Sequence, residues 1–147
     1  MLDDQLVTAR NAIVRYLVES GNMPSMRDVA LALSTSEQEA AQLLKELHNE
    51  HALLLNEEGS ILMLWPFSGV PTPFQVIANG RSYWANCAWD SIGIPAALHT
   101  DAVIHSSFAY PNEPVTLKVQ NDRVIPDAYF VHFPLPVRHW YDDLRYT

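Results

Sequence analysis

Hydrophobic positions in the N-terminal part of the chain recur with the spacing of amphipathic helices. The first such segment ends near Gly21 and has apolar residues at every third or fourth position: Leu2, Leu6, Ala9, Ile13 and Leu17. Met26–Leu33 predicts a second, short helix. A third follows Ser36, because Glu39 lies three residues later as in a capping box. The apolar positions of this third helix are Ala40, Leu43, Leu44 and Leu47.

A β-hairpin is predicted directly after these helices. Two short apolar runs, 52–55 and 61–64, flank the turn Asn56-Glu57-Glu58-Gly59. Three helices closed by a hairpin form a winged-helix pattern, which in DNA-binding proteins places one helix in the major groove. We therefore predict a winged-helix-like domain over residues 1–64.

Charge argues against nucleic acid as a partner of this domain. The helix that would enter the groove reads SEQEAAQLLKELHNE, with four glutamates against one lysine, and the hairpin turn adds Glu57 and Glu58. The whole chain has a formal net charge of −8. Nucleic-acid phosphates demand clustered Lys and Arg, so we expect no nucleic-acid partner and a helical unit that packs against the rest of the chain.

A proline-rich connector, W-P-F-S-G-V-P-T-P-F, spans residues 65–74. Its three prolines exclude a helix and favour an extended segment between the two halves of the chain. The connector therefore marks the predicted domain boundary, and a second domain is expected over 75–147.

The second half changes to the period of β-strands. Asn79-Gly80 is a strong hairpin signal between two short strands. Asn86 is expected to cap a short helix, and Pro95 to open a helical turn through Leu98. Further strands are predicted at 102–108, 115–119 and 128–133. The expected fold class is α+β, with a mainly antiparallel sheet and short helices.

Composition and cysteine content indicate the class of protein and its expected location in the cell. Hydrophobic residues make up 48% of the chain and charged residues 18%, which is typical of a globular protein. No run approaches the roughly 18 to 20 apolar residues of a membrane span, and the start Met-Leu-Asp-Asp lacks the basic residues of a signal peptide. We expect a cytoplasmic protein with no membrane partner. Its single cysteine, Cys87, is either inert and buried or a working thiol.

Cys87 and Asp90 are the candidate reactive pair. Three residues apart on a helix, they face the same side, and free N–H groups at the helix start favour a thiolate. The nearby carboxylate opposes thiolate formation, whereas burial between Trp84 and Trp89 would raise the pKa of the acid and keep it protonated. A thiolate beside a proton donor suits capture of a soft metal and protonation of the group that leaves it. The alternative is that Cys87 is small, buried filler.

Three histidines are weaker candidates for metal binding. His105, His132 and His139 could act as ligands, but no His-x-x-x-His or Cys-x-x-Cys spacing supports a preformed zinc or iron site. Histidines on strands are more commonly surface residues or satisfied core residues.

Residues 60–120 resemble the alkylmercury lyase (organomercurial lyase) family. The resemblance rests on three segments, W-P-F-S-G-V-P-T, Y-W-A-N-C-A-W-D-S-I-G-I-P-A-A-L and E-P-V-T-L-K-V, and on the C-A-x-D core of the second. It implies cleavage of the carbon–mercury bond of a small-molecule substrate without an organic cofactor. It also implies roles for two residues. Cys87 would be the thiolate that captures mercury, and Asp90 would protonate the departing carbon and help to hold the metal.

The resemblance fails at the family's other cysteines. Family enzymes use a second cysteine that shares the mercury, and this sequence has Cys87 alone. Its tail, H-W-Y-D-D-L-R-Y-T, resembles the segment leading into that cysteine, so the chain is either naturally short or lacks a final strand and helix. A third cysteine of some members is also missing near Ser106, Ser107 and Phe108.

Three functions therefore stay open. The chain is an active lyase, a homologue that only binds a metal or a thiol-reactive ligand, or a relative with different lyase chemistry on a small metabolite. The sequence predicts no particular oligomeric state.

Overall fold

The computed structural model of the protein describes residues 2–110, 112–140 and 142. Four α-helices are present in these ranges: α1 (Asp4–Ser20), α2 (Met26–Leu33), α3 (Glu37–Asn49) and α4 (Ala88–Leu98). Eight strands accompany them: β1 (Leu54–Leu55), β2 (Ile61–Leu64), β3 (Phe67–Ser68), β4 (Gln75–Ala78), β5 (Arg81–Ala85), β6 (Ala102–Ser107), β7 (Pro114–Gln120) and β8 (Arg123–Ile125). A 3-10 turn covers Val137–His139.

The ends of the first three helices are set by local side chains. α1 ends at Gly21, which adopts a left-handed conformation with φ of 77° and donates its N–H to the carbonyl of Leu17. Ser36 and Glu39 form the predicted capping box of α3, in which each side chain accepts the other residue's backbone N–H. The start and end predicted for α2 are confirmed.

The helical unit buries the apolar positions that its periodicity predicts. Leu2 is half-buried at the edge of the core. The other predicted positions on α1 and α3 are buried, together with residues of the hairpin: Leu6, Ala9, Ile13, Leu17, Ala40, Leu43, Leu44, Leu47, Leu53, Ile61 and Leu64. Burial of this apolar surface is the main stabilisation of the unit. The three helices and the hairpin are thus present as elements, and the winged-helix comparison stays a prediction.

The described strands form one antiparallel sheet in the order β1-β2-β3-β5-β4-β6-β7-β8, so the predicted α+β class is confirmed. The proline-rich connector itself supplies β3. Phe67 pairs with Leu64 on one side and with Ala85 on the other. The hairpin of the first half therefore continues directly into the sheet of the second half, and the division into two domains stays a prediction.

Hydrogen bonds also join α1 to the rest of the chain. Arg10 donates to the carbonyl oxygens of Ala52 and Trp65. The guanidinium of Arg81 donates to the carbonyl of Glu19 at 2.7 Å. These bonds connect the helical unit to the connector and to β5, the strand that leads to Cys87.

The strand predicted at 128–133 is wrong. β7 instead turns at Asn121-Asp122, where both residues have positive φ, and pairs at once with β8. Residues 128–133 have no regular structure. Their aromatic side chains make ring contacts, Tyr129 with Phe108 and Phe133 with Trp89. Aromatic residues favour strands only where a partner strand is available.

Pro95 also differs from the prediction, because it lies inside α4 instead of opening a turn. A proline in a helix interior removes one backbone hydrogen bond. Pro95 and its neighbour Ile94 are buried, and α4 packs on β4, β5 and β6. This packing stabilises the continuous helix.

Within the ranges that the structure describes, the helices are too short or too polar to cross a lipid bilayer.

Candidate active site at the start of helix α4

Cys87 lies where the chain leaves β5 and begins α4. Its backbone is extended, with φ of −150° and ψ of 179°, and its Sγ accepts the backbone N–H of Asp90 at 3.5 Å. Cys87 is therefore the N-cap residue, and the prediction that Asn86 caps the helix is wrong. The extended direction of β5 continues through Cys87, so the helix begins one residue later than predicted.

Asn86 contacts the acid instead of the helix backbone. Its Nδ2 donates to Oδ2 of Asp90 at 3.0 Å. Its Oδ1 is buried and has no hydrogen-bond partner among the described residues. Sequence reasoning missed this contact, although the spacing of four residues from Asn86 to Asp90 was an available signal.

Cys87 and Asp90 meet at the start of α4, as their spacing predicts, because the backbone N–H of Asp90 donates to Sγ of Cys87 at 3.5 Å. Burial raises the pKa of the Asp90 carboxyl above its ordinary value, whereas the hydrogen bond from Asn86 and the neighbouring thiol of Cys87 act in the opposite direction. The direction matches the prediction. Trp89 is 59% exposed, and cover of the acid by Trp84 and Trp89 stays a prediction.

The pKa of the Cys87 thiol is raised, although the position at a helix start alone would lower it. Burial raises the pKa of Cys87, and the negative charge of Asp90 raises it further. The backbone N–H groups of Asp90 and Trp89 lower it, but they do not reverse the direction. The resting group at neutral pH is therefore a thiol. Cys87 is half-buried, and part of the residue is open to solvent.

An aromatic cluster lies beside α4 and holds the C-terminal segment against it. The rings of Trp89 and Phe133 meet edge to face with centroids 6.3 Å apart, and Phe133 lies 5.0 Å from Trp140. The indole N–H of Trp140 donates to the carbonyl of Leu135 at 3.0 Å. These ring contacts pack the C-terminal segment against one side of α4.

The candidate histidines do not join the Cys87 and Asp90 pair. His105 on β6 lies 3.2 Å from the hydroxyl of Thr116, and His139 lies 2.8 Å from Asp142. His132 is exposed. In residues 2–110, 112–140 and 142, no three His, Cys, Asp or Glu side chains form a group suited to holding a metal ion.

The sequence is similar to those of known alkylmercury lyases. Alkylmercury lyases of Bacillus cereus and Clostridium butyricum are each 24% identical to this chain over 109 residues, which cover 74% of this chain and 48% of the relative. The alkylmercury lyase of Staphylococcus epidermidis is 27% identical over 113 residues, with coverage of 77% and 50%. The chain thus spans about half the length of the curated relatives it matches.

A solved structure shares the fold. The crystal structure of the mercury-bound form of MerB2 aligns with a TM-score of 0.66 over 86% of this chain and 62% of that chain, at 22% identity. The family model for alkylmercury lyase matches residues 67–147, which are more than half of this sequence and include Cys87 and Asp90. The chain therefore belongs to the alkylmercury lyase family.

Proposed function

We propose that this chain captures a small organomercurial at Cys87 and cleaves its carbon–mercury bond with a proton from Asp90. The observation that carries the proposal is the junction of the two residues at the start of α4, where Asp90 donates its backbone N–H to Sγ of Cys87 at 3.5 Å. A soft sulfur ligand and a proton carrier are the two groups that this reaction needs.

The first step forms the sulfur–mercury bond. The sulfur of Cys87 attacks the mercury of an R–Hg–X substrate, X leaves with its electron pair, and the thiol proton passes to the carboxylate of Asp90. A raised thiol pKa means that free thiolate is scarce at neutral pH. A neighbouring carboxylate removes this obstacle, because it accepts the proton as the new bond forms.

The second step uses the same proton. The Asp90 carboxyl protonates the carbon bonded to mercury, and the electron pair of the carbon–mercury bond becomes the new carbon–hydrogen bond. The hydrocarbon R–H leaves, mercury stays on Sγ of Cys87, and Asp90 is again a carboxylate that can contact the metal. Burial of Asp90 supports this role, because it favours the protonated acid between the two steps. No organic cofactor enters this sequence.

A second candidate function is binding without cleavage. It is favoured by the single cysteine in the sequence. A second thiolate would add electron density to mercury and make the carbon a better proton acceptor. With Cys87 alone, the chain would hold R–Hg⁺ on sulfur and release no hydrocarbon.

A single-turnover experiment separates the two functions. The protein is mixed with one equivalent of phenylmercury acetate, benzene is measured by gas chromatography, and protein-bound mercury by mass spectrometry. Cleavage predicts benzene from the wild type, none from Cys87→Ser, and strongly reduced release from Asp90→Asn. Binding alone predicts intact phenylmercury on the wild type. Asp101→Asn, which removes a carboxylate just beyond α4, is the matched control. Equal mercury retention by wild type and Cys87→Ser would exclude both functions.

A further inference from the structure

In the described part of the chain, the Nδ2 of the Asn86 amide has a hydrogen-bond partner and the Oδ1 has none. Its Nδ2 donates to Oδ2 of Asp90 at 3.0 Å, whereas its Oδ1 is buried and unpartnered within the described part of the chain. The residue lies between β5 and the capping residue Cys87. It therefore adjoins both members of the candidate reactive pair, one through the chain and one through a hydrogen bond.

A buried acceptor without a partner lowers stability, because it loses its hydrogen bonds to water and gains none in return. Native structures keep few such groups, and those they keep call for a specific explanation. Capping is not the explanation here, since Sγ of Cys87 fills the N-cap position. An alanine at position 86 would avoid the unpartnered oxygen. The contact that the amide does make is the hydrogen bond from Nδ2 to Asp90.

We infer that Asn86 is a positioning residue, whose amide holds the carboxyl of Asp90 in the orientation that faces the sulfur of Cys87. The inference rests on the proposed function and adds a third residue to it. The hydrogen bond from the amide to Oδ2 opposes rotation of the carboxyl away from the helix start into solvent. Such anchoring matters because proton transfer requires the donor and acceptor atoms to stay within hydrogen-bond reach.

The kinetic test compares Asn86→Ala with Asn86→His. Alanine removes the donor, whereas the Nδ1–H of histidine lies at a similar distance from the backbone and can restore it. In single-turnover reactions with phenylmercury acetate, Asn86→Ala should bind the same final amount of mercury at Cys87 as the wild type, although more slowly, because Asp90 also accepts the thiol proton during capture. Its benzene release should be slower by about 10²-fold, the size of effect typical of a misplaced catalytic group. Asn86→His should recover most of the rate. Asn22→Ala, which removes an exposed amide, is the matched control.

Thermal unfolding distinguishes positioning from a purely structural role. Because the unpartnered Oδ1 disappears, Asn86→Ala should melt at the same temperature as the wild type or higher. Unchanged benzene release in Asn86→Ala would overturn the inference. So would a loss of release that follows a matching loss of mercury binding or of folded protein.

A measurement that needs no turnover separates this inference from the proposed function. Three-bond NMR couplings report the χ1 angle of Asp90. We expect one rotamer in the wild type and in Asn86→His, and averaging over several rotamers in Asn86→Ala. If the wild type releases no benzene, cleavage is wrong, and the couplings still decide the role of Asn86. A single Asp90 rotamer in all three proteins would overturn it.

Discussion

The backbone N–H of Asp90 donates to Sγ of Cys87 across 3.5 Å, so the candidate nucleophile is also the N-cap of helix α4. Capping satisfies one of the N–H groups that a helix start leaves free. One sulfur atom therefore has two roles, a structural one in the helix and a proposed chemical one toward mercury. Substitutions that keep an acceptor at this position separate the two roles.

Serine and alanine at position 87 should differ in stability while both lose mercury capture. A serine oxygen is a better helix cap than sulfur, and alanine offers no cap. We expect Cys87→Ser to exceed Cys87→Ala in free energy of unfolding by about 1 kcal/mol, the usual difference between these N-caps. Urea denaturation of both variants measures the difference. Equal free energies of unfolding would show that a capping acceptor at position 87 does not stabilise the helix, and mercury retained by either variant would place capture elsewhere.

Replacement of Asp90 should change how stability depends on pH. Burial raises the pKa of this acid above its ordinary value of 3.8 in the folded protein. Between 3.8 and the folded value, the folded state binds more protons than the unfolded state, so the free energy of unfolding falls as pH rises through that interval. Asn does not titrate. Asp90→Asn should therefore gain stability relative to the wild type as pH increases above 3.8.

Denaturant unfolding of the wild type and Asp90→Asn between pH 3 and about pH 8 measures this effect, in a range below the titration of a cysteine with a raised pKa. Asp101→Asn corrects for the loss of one negative charge from a chain of net charge −8. If the free energies of unfolding of the wild type and Asp90→Asn differ by the same amount across the range, burial does not raise the pKa of this carboxyl.

Elements governed by local chemistry could be predicted from the sequence. Apolar periodicity identified the buried face of α1 and α3, because the repeat of a helix determines which side chains share a face. The hairpin at Asn79-Gly80 was predicted for a similar reason. Both residues adopt positive φ, 52° and 71°, which Asn and Gly tolerate best.

Details that depend on distant contacts could not be predicted. The choice between Asn86 and Cys87 as the cap depends on the direction of β5, which is determined by the pairing of Ala85 with Phe67. The aromatic run at 128–133 has the composition of a strand, yet Phe133 packs on Trp89 of α4. The contact of Asn86 with Asp90 likewise follows from where β5 ends, not from residue type alone.

The capping box of α3 should lose its contribution to the free energy of unfolding at acidic pH. Hydrogen bonds from the Thr35 hydroxyl, the Ser36 N–H and the Ser36 hydroxyl hold the pKa of Glu39 at about 2, below its ordinary value of 4.5. A depressed folded pKa stabilises the protein above 4.5, and this stabilisation is lost as pH falls toward 2. The stability advantage of the wild type over Glu39→Gln should shrink over the same range. Urea unfolding at a series of pH values tests it.

Glu37→Gln is the control for this experiment, because Glu37 lies in the same first turn of α3 and outside the capping box. The difference in free energy of unfolding between Glu37→Gln and the wild type reports the effect of losing one charge near the helix start. A pH dependence for Glu39→Gln that parallels that of Glu37→Gln would remove the specific role of the capping box.

Gly69 is the residue at which a single added methyl group should disturb the junction between the hairpin and the connector. A Cβ at this position would overlap the carbonyl oxygen of Ile61 in β2, a backbone atom that cannot move aside without shifting the strand. The N–H of Gly69 donates to the carbonyl of Leu62 at 2.8 Å, which holds the two segments at this close distance. Gly69→Ala should lower the free energy of unfolding by about 1–3 kcal/mol, as overpacking usually does.

Urea denaturation measures the loss, and Ser60→Ala is its control at an exposed position next to the same strand. That control should stay within about 0.5 kcal/mol of the wild type, as surface substitutions do. Gly69 directly follows β3, which pairs with β5 in the sheet. Because β5 leads to Cys87, a displaced β3 should also move the start of α4. Gly69→Ala is therefore expected to slow benzene release in the single-turnover assay, whereas Ser60→Ala is not. Wild-type stability in Gly69→Ala would show that β2 and the connector can separate without cost.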